Sequence, residues 1–488
     1  MEYHEVVNTL EGLRRLRPKL GTGTTASLLD YLDTDPETMT AVQVAGSNGK
    51  GSTARLLERI LRETGLTVGL YTSPDLNGLR ERIRVCGQKI PKPEVVRYVE
   101  EVWPFVVEQH VEGNAPTFFE VTTALALWYF DRQDVDVAVL EVGIGGRYDS
   151  TSVVDPVAAA VTSVSLEHTD ILGETVEAIA RDKAHVAPED APLVTGATGS
   201  ALEEIRKQTD VVTVGNEGPS SDDPGETASR DESASSVDVL AREREMVSLA
   251  ESSLSLVGPD WEIETATPLL GQHQAVNAGI AAALARQAAD VSEDDIAAGI
   301  RNVYCPGRFE VMDDAPLVVL DGAHNPDACA KLATVMERFD YETLDVVFGA
   351  MRDKDHREML RRLPDADRVS LAAPDVDRAQ DTDTLASVVG RETNATREQF
   401  DSVLGALEEA LRSADESDCV LVTGSLYAIS EARDRWTRAP TAVRTHSTQQ
   451  VRSVMASADV PDDTQRQYVE QGVMRTVRFH TRRSTADR

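Results

Sequence analysis

The chain has 488 residues, enough for two or three domains that each bury a core, and carries 83 acidic against 49 basic residues, a formal net charge of −34. That balance argues against binding to nucleic acid through the phosphate backbone, which needs clustered cations. Eight of the basic residues are lysines and 41 are arginines, an acidic, lysine-poor composition that fits solubility in concentrated salt, where screening removes like-charge repulsion.

Four scattered cysteines (Cys86, Cys305, Cys329, Cys419) have no CxxC spacing and read as reduced thiols, not a disulfide frame or zinc site. No signal peptide opens the chain and no apolar run reaches membrane-spanning length, so a cytoplasmic protein with no membrane or nucleic-acid partner is expected.

In chain order, the first informative element is a β-branched strand at 41–45. It stops at the glycine cluster GSNGKGST (residues 46–53), and a helical pattern runs on through Arg62. Strand, glycine loop and helix together suit phosphate binding: glycines let backbone N–H groups turn inward, and the helix N-terminus adds partial positive charge. Lys50 would reach outer phosphates, and Ser52 or Thr53 would offer a hydroxyl to Mg²⁺. The standard phosphate-loop spacing is not met, because Gly46 is too close to Gly49-Lys50 and Gly51 separates lysine from hydroxyl. A loop of this kind can also be a plain turn.

Further candidate strands are 67–71, 135–141, 158–163 and 193–195. They alternate with helical patterns, as parallel α/β architecture requires. TSPD (72–75), with ERI (81–83) behind it, could close over the phosphates. Strand 135–141 ends in Glu141, followed by Gly143, Gly145, Gly146 and Arg147. In open α/β sheets ligands sit beyond the carboxyl ends of strands, which is where Glu141 would meet a phosphate-bound Mg²⁺. His168 follows strand 158–163, and Lys183 comes fifteen residues later, after a helical run. Read alone, these are a loop histidine and a solvated helix charge.

Residues 216–238 are dominated by Ser, Asp, Glu, Gly and Pro and are expected to form a disordered surface insertion. Helices are expected at 272–289 and 291–300, and a linker at 303–306. A second set of strands follows at 317–321, 344–349, 368–372 and 419–423. PGRFE (306–310) lies at the junction, and DGAHNP (321–326), GAMRDKD (349–355) and GSLY (424–427) end strands. Polar residues crowding strand ends in both portions imply a cleft between them. The expected division is 1–303, 304–438 and a polar tail, 439–488, with no catalytic motif.

GSNGKGST, TSPD with ERI, TFFE (117–120), EVGIGGRYDST (141–151), LEHTDILGETVEAIARDK (166–183), PGRFE, DGAHNP and VTGSLY (422–427) occur together and in order. Their combination over residues 1 to 438 resembles the folylpolyglutamate synthase/dihydrofolate synthase family of the Mur ligase superfamily. With the acidic composition, the resemblance suggests a halophilic archaeal source. It implies a Mur-ligase-like P-loop ATPase domain with a mainly parallel sheet, followed by a smaller Rossmann-like α/β domain. It also implies a reaction in which ATP phosphorylates a carboxylate and the amine of L-glutamate displaces phosphate. The substrates would be ATP, L-glutamate and dihydropteroate or a reduced folate, acted on by a monomer.

Residue by residue, the resemblance assigns Gly49, Lys50, Gly51, Ser52 and Thr53 to the ATP phosphates. Ser73, Glu141, His168 and a carbamylated Lys183 would hold two Mg²⁺ ions. Asn277, Arg308 and Asp321 would contact ATP, while Phe118, Phe119, Glu120, Arg147, Tyr148 and Asp149 would receive the pterin-bearing substrate. His324 and Ser425 would lie near glutamate. Lys50, His168, Lys183 and His324 form the implied catalytic set. The chain departs from the family pattern at Asp75, where histidine is common, at Glu167 (usually aspartate) and at Ser152 (usually asparagine). Two other readings stay open: a Mur-type ligase acting on a cell-wall precursor, and a nucleotide-binding module without ligase activity. In halophilic archaea such synthases can be joined to dihydropteroate synthase. The tail is too short for that barrel, so none is expected here.

Overall fold

The computed structural model describes residues 1–16, 19, 21–216 and 237–437. Most of the expected insertion (217–236) and all of the expected tail (439–488) lie outside the described residues. Met1–Ser430 forms one compact unit that contains both sheets; a second begins at Glu431 and is described only along the end of the helix Leu426–Thr437.

The first sheet has eleven strands: β1 (Ala41–Ala45), β2 (Val68–Tyr71), β3 (Ile83–Val85), β4 (Gln88–Lys89), β5 (Val137–Glu141), β6 (Pro156–Val161), β7 (Leu193–Thr195), β8 (Val211–Gly215), β9 (Val239–Ser248), β10 (Glu251–Val257) and β11 (Glu262–Thr267). Their spatial order is β11-β10-β9-β8-β7-β6-β1-β5-β2-β3-β4. The run from β2 to β9 is parallel, while β3, β4, β10 and β11 pair antiparallel at the two margins.

β1 and β5 are buried at every residue, as strands covered on both faces must be. One face is covered by the helices Lys50–Glu63, Gln272–Ala288 and Glu293–Arg301, whose apolar residues share one core with Val42, Val44 and Val139. The helices Tyr3–Gly12, Gly23–Tyr31, Lys92–Val111 and Phe118–Arg132 cover the other. β1 lies between β5 and β6, and the chain leaves β1 toward β2 on one side but later adds β6 on the other. The carboxyl ends of β1, β5 and β6 therefore flank a switch point, where α/β sheets open a crevice.

The second sheet comprises β12 (Glu310–Asp314), β13 (Leu317–Leu320), β14 (Leu344–Phe348), β15 (Arg368–Ala372), β16 (Thr396–Phe400) and β17 (Cys419–Thr423), ordered β12-β13-β17-β14-β15-β16. All pairs are parallel except β12–β13. It has its own core around Val319, Phe348, Leu371 and Leu421. Every strand expected from the sequence is present, with ends shifted by up to two residues. The antiparallel margins, β8, β9, β12 and β16 are additional. Among the described residues no helix is long and apolar enough to cross a membrane.

Candidate active site

The glycine loop after β1 is pinned by the chain leaving β6. Ser47 N–H donates to Ser163 O (2.8 Å), Asn48 N–H to Ser163 Oγ (3.0 Å), and Thr162 Oγ1 to Asn48 O (2.7 Å). Gly49 precedes the helix Lys50–Glu63 at φ 92°, left-handed backbone that favours glycine, and a Cβ there would run into the Asn277 carboxamide. No side chain caps this helix, and its first N–H groups have no intrahelical partner, the arrangement an anion requires. Lys50 Nζ folds back onto Gly46 O (2.7 Å) and Ser47 O (3.3 Å), over the loop it would share with phosphate. Ser52 is buried, with Cys305 Sγ at 4.0 Å from its hydroxyl, and the buried Thr53 hydroxyl has no hydrogen-bond partner.

Glu141, at the end of β5, is buried and accepts from Ser73 N–H at 2.8 Å. Both its oxygens lie 3.5 Å from where a Gly51 Cβ would stand, so the carboxylate abuts the first turn of the phosphate-loop helix. Burial raises its pKa, against the pull of Lys50, the Ser73 amide, Arg308 and Arg55. Lys183, 1% exposed at the end of the helix Val176–Lys183, donates to Glu167 Oε1 (2.8 Å) and to Gly46 O (3.0 Å). Burial lowers its pKa although Glu167 opposes this, and Glu167 is itself held down to about 2, where Lys50 and Lys183 outweigh desolvation. His168 is exposed and has φ 46°.

Among the described residues no three His, Cys, Asp or Glu side chains converge as a metal set. Mg²⁺ fits nonetheless. A buried carboxylate beside hydroxyls and a phosphate loop is the hard-oxygen set this ion takes when phosphates and waters complete its shell.

The second portion docks onto this loop. Asn48 Nδ2 donates to Asp327 Oδ2 (2.8 Å), and Asn325 Nδ2 donates to Asn48 Oδ1 (2.9 Å). Asp321 accepts from Phe309 N–H (2.7 Å) and Ala323 N–H (2.9 Å), fastening PGRFE to DGAHNP. Arg308 NH1 donates to Gly307 O (3.1 Å), and Asn277 Nδ2 to Gln274 Oε1 (2.9 Å). His324 Nδ1 lies 2.9 Å from Gly322 O, an acceptor, which places the proton on Nδ1 and leaves Nε2 an acceptor. Burial, with Lys354, Arg308 and Lys50 adding to it, pushes its pKa down to about 4, so the ring is neutral near pH 7.

On the expected pterin side, Phe118 is already covered: the guanidinium carbon of Arg14 sits 3.9 Å from its ring centroid and that of Arg82 5.0 Å. Asp75, in place of the common histidine, binds Arg82 Nε (2.5 Å) and Arg14 NH2 (3.4 Å). Phe119 packs against Gly143 and lies 5.9 Å from the Tyr71 ring. Arg147 lies 4.9 Å from the centroid of Tyr148, a half-exposed ring.

Three residues expected beside ligands also hold local backbone N–H groups, Glu120 with only one of its oxygens. Glu120 closes the capping box of the helix Phe118–Arg132, accepting from Thr117 N–H at 2.6 Å. Asp149 accepts from Gly143 N–H, Ile144 N–H (3.0 Å each) and from the Thr151 N–H and hydroxyl, organising its own loop. Ser425 Oγ accepts from Ala428 N–H (3.1 Å). Asp149 and Ser425 are short polar side chains beside a turn or helix start, where local backbone donors compete successfully, while Glu120 is the N3 glutamate of a capping box. Conversely, the sequence reading passed over Asn48, Arg14 and Lys354, whose charge reaches both His168 and His324. Lys354 had a signal, as one of eight lysines and inside GAMRDKD.

Comparison with known proteins gives concordant matches. Residues 44–285 match the family described as Mur ligase middle domain, and 307–426 match Mur ligase, glutamate ligase domain. A Haloferax volcanii relative, "Probable bifunctional folylpolyglutamate synthase/dihydropteroate synthase", is 50% identical over 99% of this chain, which includes the expected tail. The chain spans 56% of that relative's length and 52% of a Halobacterium salinarum relative with the same description. A Bacillus subtilis "Dihydrofolate synthase/folylpolyglutamate synthase" is 33% identical, covering 89% of this chain and 99% of that one. Among solved structures, Mycobacterium tuberculosis folylpolyglutamate synthase complexed with ADP and AMPPCP has a TM-score of 0.78 at 29% identity, covering 90% of this chain and 100% of that chain. Escherichia coli FolC in complex with DHPP and ADP has a TM-score of 0.76 at 29% identity, covering 89% and 97%.

Proposed function

Because the chain belongs to the dihydrofolate synthase/folylpolyglutamate synthase family and carries both Mur ligase domains, we propose that it is an ATP-dependent ligase joining L-glutamate to dihydropteroate, to folates, or to both. We place the boundary between the two domains at 303/304, between the two family matches. The observation that carries the reading is the convergence of Lys50, Glu141 and Lys183 at the carboxyl ends of β1, β5 and β6, with the DGAHNP turn docked on the same loop.

A carboxylate resists amines because oxide is a poor leaving group, and phosphorylation removes that barrier. The γ-phosphoryl of ATP passes to the acceptor carboxylate, releasing ADP. The glutamate amine then forms the C–N bond and phosphate departs. Two anions must meet in the first step, so cationic groups and oriented N–H donors carry most of the catalysis. The loop N–H groups and Lys50 hold the outer phosphates, and Arg308 and Asn277 hold ATP from the other side. Glu141, Ser73, His168 and Lys183 are the residues that would hold Mg²⁺, which would supply positive charge to offset that of the anions. Burial lowers the pKa of Lys183, the direction carbamylation requires, while its ion pair with Glu167 opposes that shift. The Nε2 lone pair of neutral His324 suits the ammonium of incoming glutamate.

The test is phosphate release with dihydropteroate and with tetrahydrofolate, each with and without glutamate. Release that needs both a folate and glutamate is expected. Release indifferent to the folate would exclude this reading. Intact mass after preparation in bicarbonate checks Lys183: a carbon dioxide adduct lost in Lys183→Ala is expected.

A further inference from the structure

Asn48 is a phosphate-loop residue whose side chain points away from any phosphate role. Its amide is used entirely by the second domain, through Nδ2 to Asp327 and Oδ1 from Asn325. The orientation of both amides follows from their partners. Asp327 can only accept, so Asn48 must present Nδ2 to it. Asn325 Oδ1 is committed to Ala328 N–H (2.9 Å) at the start of the helix Pro326–Met336, so its Nδ2 must face Asn48. The main chain of Asn48 cannot follow a displaced partner, because its N–H and C=O are both held by Ser163 Oγ (3.0 Å each) and its C=O also by Thr162. Asp327 is steadied in turn by Lys331 at 2.7 Å. Two further polar side-chain pairs between the domains, Arg338–Glu243 (2.6 Å) and Asn77–Ser430 (3.4 Å), lie away from the phosphate loop, and at the loop itself Ser52 Oγ has Cys305 Sγ only at 4.0 Å.

We infer that Asn48, Asn325 and Asp327 form a clasp that fixes the glutamate-side domain to the phosphate loop, and that Asn48 is a positioning residue for amide formation. The inference rests on the ligase reading for its kinetic consequence, but not for its structural one. His324 immediately precedes Asn325, so the clasp sets how far the glutamate-side histidine stands from the phosphate carried by Lys50 and the loop. A loosened clasp leaves the phosphate site intact and misplaces the amine, which separates acyl phosphate formation from its capture.

The chemistry specifies a swap. Asn48→Asp alone sets two carboxylates face to face and removes the donor. Asn48→Asp combined with Asp327→Asn restores the bond between 48 and 327 with donor and acceptor exchanged, and residue 48 still accepts from Asn325 Nδ2. Small-angle X-ray scattering without nucleotide, in molar salt, should show an expanded particle for Asn48→Asp and wild-type dimensions for the double variant. A single variant as compact as wild type, or a double variant as expanded as the single, overturns the clasp. This readout needs no activity, so it decides the matter even if the ligase reading fails. Kinetically, Asp327→Ala, on the exposed start of a helix, should raise the KM for glutamate about tenfold, equivalent to about 1.4 kcal/mol, with ADP still released. The KM for ATP should stay within about twofold of wild type, since uniform binding of the nucleotide is untouched. Equal shifts in both constants, or none, would show that the contact does not position the amine.

Discussion

Lys50 and His324 show how single side chains carry different weights. Lys50 is the cation of the glycine loop, and its Nζ donates to Gly46 O at 2.7 Å; on the proposed reading it serves the outer phosphates. Lys50→Ala should lower turnover on the order of 10²–10³-fold, as loss of a transition-state contact does, with folding retained. Steady-state kinetics beside a melting curve checks this, and near-normal turnover would reduce the loop to a structural turn. His324 and His273 are both pushed down to about 4 by burial, from an ordinary value of 6.5. Between those limits the unfolded chain binds more protons than the native one, so stability rises as pH climbs from 4 to 6.5 and levels off above. Denaturant titrations across this window, at constant high salt, should show that rise. His324→Asn should show a shallower slope.

At the scale of elements, the loop 142–149 and the helix Val176–Lys183 act as one piece. Gly146 N–H donates to Asp182 Oδ1 at 2.9 Å, and a Cβ on Gly146 would stand 2.8 Å from the backbone oxygens of both Asp182 and Lys183. Backbone cannot yield as a flexible side chain can, so Gly146→Ala must push the end of that helix. It should cost about 1–3 kcal/mol of stability, the usual range for overpacking, and should displace Lys183. Chemical denaturation measures the first effect, and loss of the carbon dioxide adduct at Lys183 reports the second. The same element scale explains why Glu120, Asp149 and Ser425 serve backbone N–H groups: a helix start or a tight loop has orphan donors that the nearest carboxylate or hydroxyl satisfies.

The whole molecule carries a net charge of −34, which no local contact explains. Self-repulsion on that scale opposes the compact state in dilute buffer and fades as the Debye length falls from about 10 Å at 0.1 M to about 3 Å at 1 M salt. Activity and melting temperature should both rise from dilute buffer into molar salt. An unchanged melting temperature and full activity near 0.1 M, where screening is weaker, would remove the idea. The two sheets add a second consequence. Each has its own apolar core, around Val42 and Val139 in one and Val319 and Leu421 in the other, while polar side-chain pairs such as Asn48–Asp327 join the domains. Contacts of that kind are the sort that domain motion can make and break.

The chain's own order of residues determined the strands buried on both faces, because β-branched runs such as 41–45, 137–141 and 419–423 admit no other use. It also determined the glycine loop and placed Glu141 beyond a strand end, while Lys183, which alone reads as a solvated helix charge, was pointed to only by the family resemblance and brought to the loop by the tertiary structure. The strand β11 was not among the expected strands, and its alternation of exposed and buried residues along Glu262–Thr267 emerges only in the structure. β16 was not legible, because four of its five residues are exposed and it exists only as an edge paired to β15. Tertiary structure alone decided what each polar side chain faces. Asn48 reaches residues 277 and 279 positions away, Arg14 reaches Asp75, and Asp75 joins two arginines over Phe118. A donor's partner depends on which segments the sheet order brings to one crevice, and that order is set by packing over the whole chain.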